Sequence, residues 1–249
     1  MEEVIRIRKA SIWIFVVPIV VLNLCLLVSI NYKIFNHGAF TVPHIYYVPN
    51  FWDFLRVDQV SRSGFTIPYF DGNISISRTV RGYPNYLLFK PGMIITAIFL
   101  TLYWIAYNSL FKKIDKNKKN KYFLFFGVGS ALFLTLHSIF LGYELDSELY
   151  KFSRRFMLLG FIIFEIAAQA ILLINLIRIK EKINQFINKG ILRIKIILVS
   201  LLIIVALCSL PILGTLNYVH FKHALEWNYF IAIVTFYLLT FMFWKKNKT

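Results

Sequence analysis

An all-α polytopic membrane protein with six transmembrane helices is the fold class this sequence predicts, and three observations predict it. The 249-residue chain is 58% hydrophobic, with a mean hydropathy of +0.64. Only 16% of its residues are charged, against about 25% in a soluble domain. Six apolar stretches, about 11–30, 94–111, 122–142, 156–177, 196–216 and 225–244, approach the length of about 20 residues that a hydrocarbon core about 30 Å thick requires. Together they exclude an ordinary soluble globular protein and predict one membrane domain over residues 1–249.

Each element follows in order. The first stretch comes after Arg6, Arg8 and Lys9. It is longer than a signal-peptide core and no small-x-small cleavage site follows, so it is read as a retained span. The longest connection, 31–93, is too long to stay structureless and is expected to fold as a small extracytoplasmic cap. Within it PNFWDFLRVDQVSRSG is expected to form a short amphipathic helix with Trp52, Phe54 and Leu55 against the membrane surface. FTIPYF and ISISRTV flank Asp71-Gly72-Asn73 and are expected to pair as a β-hairpin, because Asp-Gly supplies φ > 0 and the second arm alternates apolar with polar.

Between spans two and three lies KKIDKNKKNK, the densest cationic block, read as a solvated topology determinant or an anionic-lipid contact. With both termini cytoplasmic, the inner segments hold 18 of the 28 Lys and Arg. That bias is the positive-inside rule and accounts for most of the formal charge of +16. Trp13, Tyr32, Tyr122, Tyr143, Trp227 and Trp244 fall at span ends as interfacial anchors. The two cysteines, Cys25 and Cys208, lie inside apolar runs and define no disulfide framework.

Two stretches carry a resemblance. Ile76-Ser77-Arg78-Thr79 is followed by Pro84, seven residues after Ser77, and by Leu88-Phe89 leading into a span. Near the C-terminus, Ala224-Leu225-Glu226-Trp227 precedes Phe236 and then Thr240-Phe241. This plan resembles the six-span family that includes the DRAM autophagy modulators, the Frag proteins, the GPI-anchor remodelling factor of the Golgi, the N-terminal part of a fungal cell-wall protein and a yeast suppressor of phosphatidylinositol 4-kinase defects. Where that family often has acidic residues after the Ile-Ser pair and after the Pro, this chain has Arg78 and Asn85. Where the family often has an Asp near the end of the last span, it has Trp244, and a His opening the fourth span has no counterpart near Arg154 and Arg155. The resemblance implies an integral membrane protein tied to lipid handling, with Ile76, Ser77, Pro84, Phe89, Glu226, Trp227 and Thr240 as its motif positions. It implies no catalytic residue.

Several polar groups invite chemistry. Glu165 falls near the bilayer midplane, where an ionised carboxylate costs about 2.5 to 3.5 kcal/mol on insertion scales. Gln169 is one turn on, and Ala167, Ala168 and Ala170 keep the helix slim. With Asn23 of span one at similar depth, these residues form a candidate intramembrane polar cluster, read either as neutral glue between helices or as a headgroup, ion or proton site. His220-x-x-His223-x-x-Glu226 opens span six, and His137 lies at the same side of the membrane. The i, i+3, i+6 spacing converges less squarely than HExxH, so interfacial histidines account for it better than a metal does, and no metal or other cofactor is assigned. Arg78, Arg81, Lys151, Arg154 and Arg155 form a candidate outer rim whose guanidinium groups match phosphate oxygens, alongside the plainer reading of snorkelling charge. Ser75 and Ser77 lack an adjacent histidine and a G-x-S-x-G frame, and are read as strand positions. Asn73-Ile74-Ser75 fits a glycosylation sequon.

The expected function is therefore a non-catalytic membrane factor that binds or organises lipids, GPI-type lipids or a membrane partner. One alternative is a membrane hydrolase or acyltransferase working on an outer-leaflet lipid through His137, His220, His223 and Glu226. Another is a small transporter using Glu165. The expected partners are membrane lipids and another membrane protein. Nucleic acid is disfavoured, because the cations are split among short loops.

Overall fold

The computed structural model describes residues 2–30, 66–82, 84–114, 122–141, 148–213 and 217–245. The expected amphipathic helix at 49–64 lies outside them. Among the described residues the chain forms α1 (Glu2–Ile30), α2 (Pro68–Asp71), α3 (Ile76–Arg81), α4 (Asn85–Ile114), α5 (Tyr122–Phe140), α6 (Glu148–Arg178), α7 (Lys180–Ile183), α8 (Lys189–Leu213) and α9 (Val219–Phe243). Six of these, α1, α4, α5, α6, α8 and α9, are long and apolar enough to cross a membrane. The protein is an integral, multi-pass membrane protein built on six helices.

Its surface fits that solvent. Ile95, Ile98, Leu102 and Ile105 form an exposed stripe along α4, and Ile194, Ile197, Leu201, Ile204 and Leu207 form another along α8. In water such stripes would drive association, whereas against acyl chains they are already in a matching solvent. Several helices run past their apolar stretches, α1 at its N-terminus and α4 at both ends, because polar flanks such as 2–10 and 85–93 are able to continue the helical hydrogen bonding.

The six long helices pack in chain order into a closed ring: α1 on α4, α4 on α5, α5 on α6, α6 on α8, α8 on α9, and α9 back on α1. Small residues permit this closeness. A Cβ on Gly127 would sit 2.3 Å from the Trp104 indole, and one on Gly160 would sit 2.8 Å from the Phe133 ring. Both chain ends lie at one end of the ring, the terminal end, where Lys113 pairs with Glu3, Trp244 Nε1 donates to Tyr107 Oη at 3.1 Å and Ile187 bridges Trp244.

The opposite, cap end carries α2 and α3, and here the hairpin expectation is corrected. No strand forms between 66 and 81, and the two arms are short helices joined through Gly72. Pro68 has no N–H to give a ladder, and its fixed φ suits the start of α2. The Asp71 carboxylate accepts from Thr66 Oγ1 at 2.7 and 2.8 Å, from Ile67 N at 2.8 Å and from Asn73 N at 3.0 Å, which folds the chain into a knot instead of an extended arm. Ser75 is the N-cap of α3, accepting from Arg78 N at 3.2 Å, and Ser77 lies within α3, so neither is a strand position. Asn73, the sequon residue, is buried in the folded protein.

Candidate functional site

Two polar centres stand out, one at the cap end and one inside the bundle. At the cap end α9 grips the α2–α3 knot by its backbone. His223 Nδ1 donates to Gly72 O at 2.9 Å, Trp227 Nε1 to Ile74 O at 2.8 Å and Asn228 Nδ2 to Tyr69 O at 2.7 Å. The Glu226 carboxylate faces the backbone N–H groups of Ile76 and Ser77, the first of α3. This clasp satisfies carbonyls and amides that the knot leaves outside regular structure. Tyr69, packed edge-on against Trp227, donates to Asn23 Oδ1 at 3.1 Å, and burial raises its phenol above the usual range.

Asn85 completes the join. Fully buried at the start of α4, its Nδ2 lies 2.6 Å from Thr79 O, 2.9 Å from Ser29 Oγ and 3.0 Å from Cys25 O, and so ties α1, α3 and α4 together. Its place just after Pro84 marked it in the sequence only as a departure from the family pattern.

The four residues considered for outer-face catalysis are differently engaged. His223 and Glu226 are held by backbone groups, and His137 is buried on α5 with its ring toward the backbone of Arg154 on α6. His220 is buried where its carbonyl meets Gly72. Among the described residues no hydrogen bond joins the four to one another, and no group of three His, Cys, Asp or Glu side chains is disposed to hold a metal ion.

Of the five cations proposed for an outer rim, three come within electrostatic range of one another or of a common neighbour. Half-buried Arg81 and half-buried Arg154, from α3 and α6, lie within electrostatic range of each other, with Arg155 and the Glu226 carboxylate also in range of Arg154. Arg154 stacks its guanidinium 6.0 Å from the Tyr150 ring centre, and exposed Arg78 neighbours His223. Arg81 Nε is buried with no hydrogen-bond partner among the described residues. The Lys151 side chain lies outside the described set.

Within the bundle, Glu165 and Gln169 meet as their spacing predicts, with Gln169 Nε2 donating to Glu165 Oε1 at 2.8 Å. Asn23 does not join them. Its Nδ2 bonds Ile19 O at 2.8 Å and its oxygen faces Tyr69, because its side of α1 turns toward the cap. The partners that do meet Glu165 are Ser130 of α5, 2.7 Å from Oε2, and Tyr237 of α9, whose hydroxyl donates to Oε1. Glu165 is 0% exposed.

Nearer the terminal end, Lys195 of α8 is also fully buried. Its Nζ donates to Thr240 Oγ1 at 2.6 Å and lies 3.9 Å from the Phe236 ring centre, with no carboxylate paired to it among the described residues. Tyr103 Oη lies 3.1 Å from the same Thr240 oxygen. The sequence placed Lys195 among the flanking cations. Its approach to Thr240 depends on the α8–α9 packing, although a lysine six residues into an apolar helix was a visible signal. Compared with protein-family models, curated proteins and solved structures, the chain matches none.

Proposed function

We propose that this protein is a non-catalytic membrane factor that holds the anionic headgroup of a lipid at its cap end. The observation that carries the reading is the Arg81–Arg154 pair. Two half-buried guanidinium groups from different helices lie within electrostatic range of each other, exposed Arg155 adds a third positive charge in range of Arg154, and Glu226, also in range, already answers two backbone amides. Like charges held together in a partly desolvated place favour a shared anion, and the guanidinium fork suits phosphate oxygens. The engagement of His223 and Glu226 by backbone favours binding over hydrolysis. The resemblance to the six-span lipid-handling family supports the same reading, and its two motif halves touch where Trp227 and Glu226 meet residues 74 to 77. On this reading the cap end is extracytoplasmic, and phospholipids or GPI-type lipids are the ligands.

Lipid mass spectrometry on gently purified protein tests it. Charge-assisted hydrogen bonds of about 1.5–3 kcal/mol each imply roughly a tenfold or greater loss of co-purified anionic lipid in an Arg78→Gln/Arg81→Gln double variant. Identical lipid profiles for the two proteins would remove the headgroup site.

A further inference from the structure

The Glu165 pocket has a geometry that neutral helix glue does not require. Ser130 Oγ lies 2.7 Å from Glu165 Oε2 and 2.8 Å from the Gly127 carbonyl, and it has one proton for two acceptors. When Glu165 is ionised, the hydroxyl donates to Oε2. When Oε2 carries a proton, the carboxyl donates to Ser130 Oγ and the serine turns its own proton to Gly127 O. Tyr237 and Gln169 donate to Oε1 in both cases. Both carboxyl oxygens are thus bonded in the charged and in the neutral form, which differ by one proton on Oε2, taken up from or released to solution, and by rotation about a single Cβ–Oγ bond. Back-bonding to a carbonyl one turn earlier is a habit of helical serine, and here it supplies the second acceptor that the neutral form needs.

A second observation points the same way. Gln169 is 0% exposed, and its Oε1 is buried with no hydrogen-bond partner among the described residues. Its Nε2 reaches Ile233 O only at 3.4 Å, so the amide is weakly held on that side. Rotation about its last side-chain bond brings that oxygen toward the carboxylate. Together with the two carboxylate oxygens, Ser130 Oγ and Tyr237 Oη, this is an all-oxygen donor set of the kind hard cations prefer. One carboxylate balances one positive charge, whereas a divalent ion would leave an excess charge in a low-dielectric core. The other titratable groups that face Glu165 are phenols, Tyr237 of α9 and Tyr103 of α4, while α5 offers only the Ser130 hydroxyl and Lys195 of α8 is engaged by Thr240 and Phe236.

We propose that Glu165, with Ser130, Gln169 and Tyr237, forms an exchangeable monovalent-cation site in the membrane interior that takes a proton or a sodium ion. Its ligands come from α5, α6 and α9, so occupancy sets how three of the six spanning helices pack. The site stands apart from the cap-end arginines, and either can fail without the other.

The test is infrared spectroscopy of the full-length protein in phosphatidylcholine vesicles, titrated with acid in choline chloride and again in sodium chloride. A protonated-carboxyl carbonyl band, lost in Glu165→Gln, is expected to appear on acidification. If sodium shifts that titration relative to choline, the site takes sodium; if the two salts give one curve, it takes protons alone. A Glu165 band present at every pH in both salts, or absent throughout, overturns the proposal. Ser130→Ala keeps the carboxyl and serves if Glu165→Gln does not fold. It is expected to shift the band's frequency and titration, and an unmoved band would eliminate the hydroxyl switch.

Discussion

At Asp71-Gly72-Asn73 the same three residues support two opposite local structures. Asp-Gly permits a hairpin turn, yet the Asp71 carboxylate can also gather Thr66, Ile67 and Asn73 around itself, and here that competition ends in a knot. Gly72 is decisive for a further reason. Its φ is +60°, and a Cβ there would lie 1.8 Å from the His220 carbonyl oxygen. Gly72→Ala combines a left-handed penalty of about 1–2 kcal/mol with a backbone clash, so a clear fall in melting temperature is expected in detergent. A variant that melts with the parent protein would mean that the knot is not packed against α9. The buried groups Glu165 and Gln169 were legible as a pair because i and i+4 share a helical face. Ser130 and Tyr237 were not, since nothing in a sequence states which faces of two other helices turn toward a given carboxylate.

At the scale of elements, the clasp between α9 and the α2–α3 knot joins segments that are far apart in the chain. His223 and Trp227, four residues apart, share one helical face, and Asn228 lies about 100° further round to reach Tyr69 O. Trp227→Phe keeps the ring but leaves Ile74 O without its donor, at a cost of about 1–3 kcal/mol for a buried unsatisfied carbonyl. The expected result is faster tryptic cleavage at Arg78 and Arg81 with the rest of the bundle intact, and an unchanged cleavage rate would count against the clasp. The six spanning helices themselves were legible, because length and hydropathy suffice where a membrane must satisfy every backbone group internally. Their ends were less so. Helices run to Glu2 and Asn85 beyond the apolar stretches, since polar residues are equally able to continue a helix once it is nucleated.

For the whole molecule, the ring order and the shared end of both termini follow from six antiparallel neighbours joined in sequence. The side on which that end lies rests on charge. With the positive-inside bias as guide, a membrane-impermeant thiol reagent applied to intact cells is expected to label Arg78→Cys and to spare Lys113→Cys, both made in a Cys208→Ala background. Both positions are exposed, so the opposite pattern would reverse the orientation. By itself the sequence determined the solvent, the number of spans and the Glu165–Gln169 pairing, because these depend on hydropathy, length and helical period. Tertiary structure alone decided that the cap-end knot is helical, that Asn23 serves the cap, that Lys195 is buried against Thr240 and Phe236, and that Ser130 and Tyr237 close on Glu165. Each of those outcomes depends on which helix faces meet, and that is settled by packing of the whole ring and not by any local pattern.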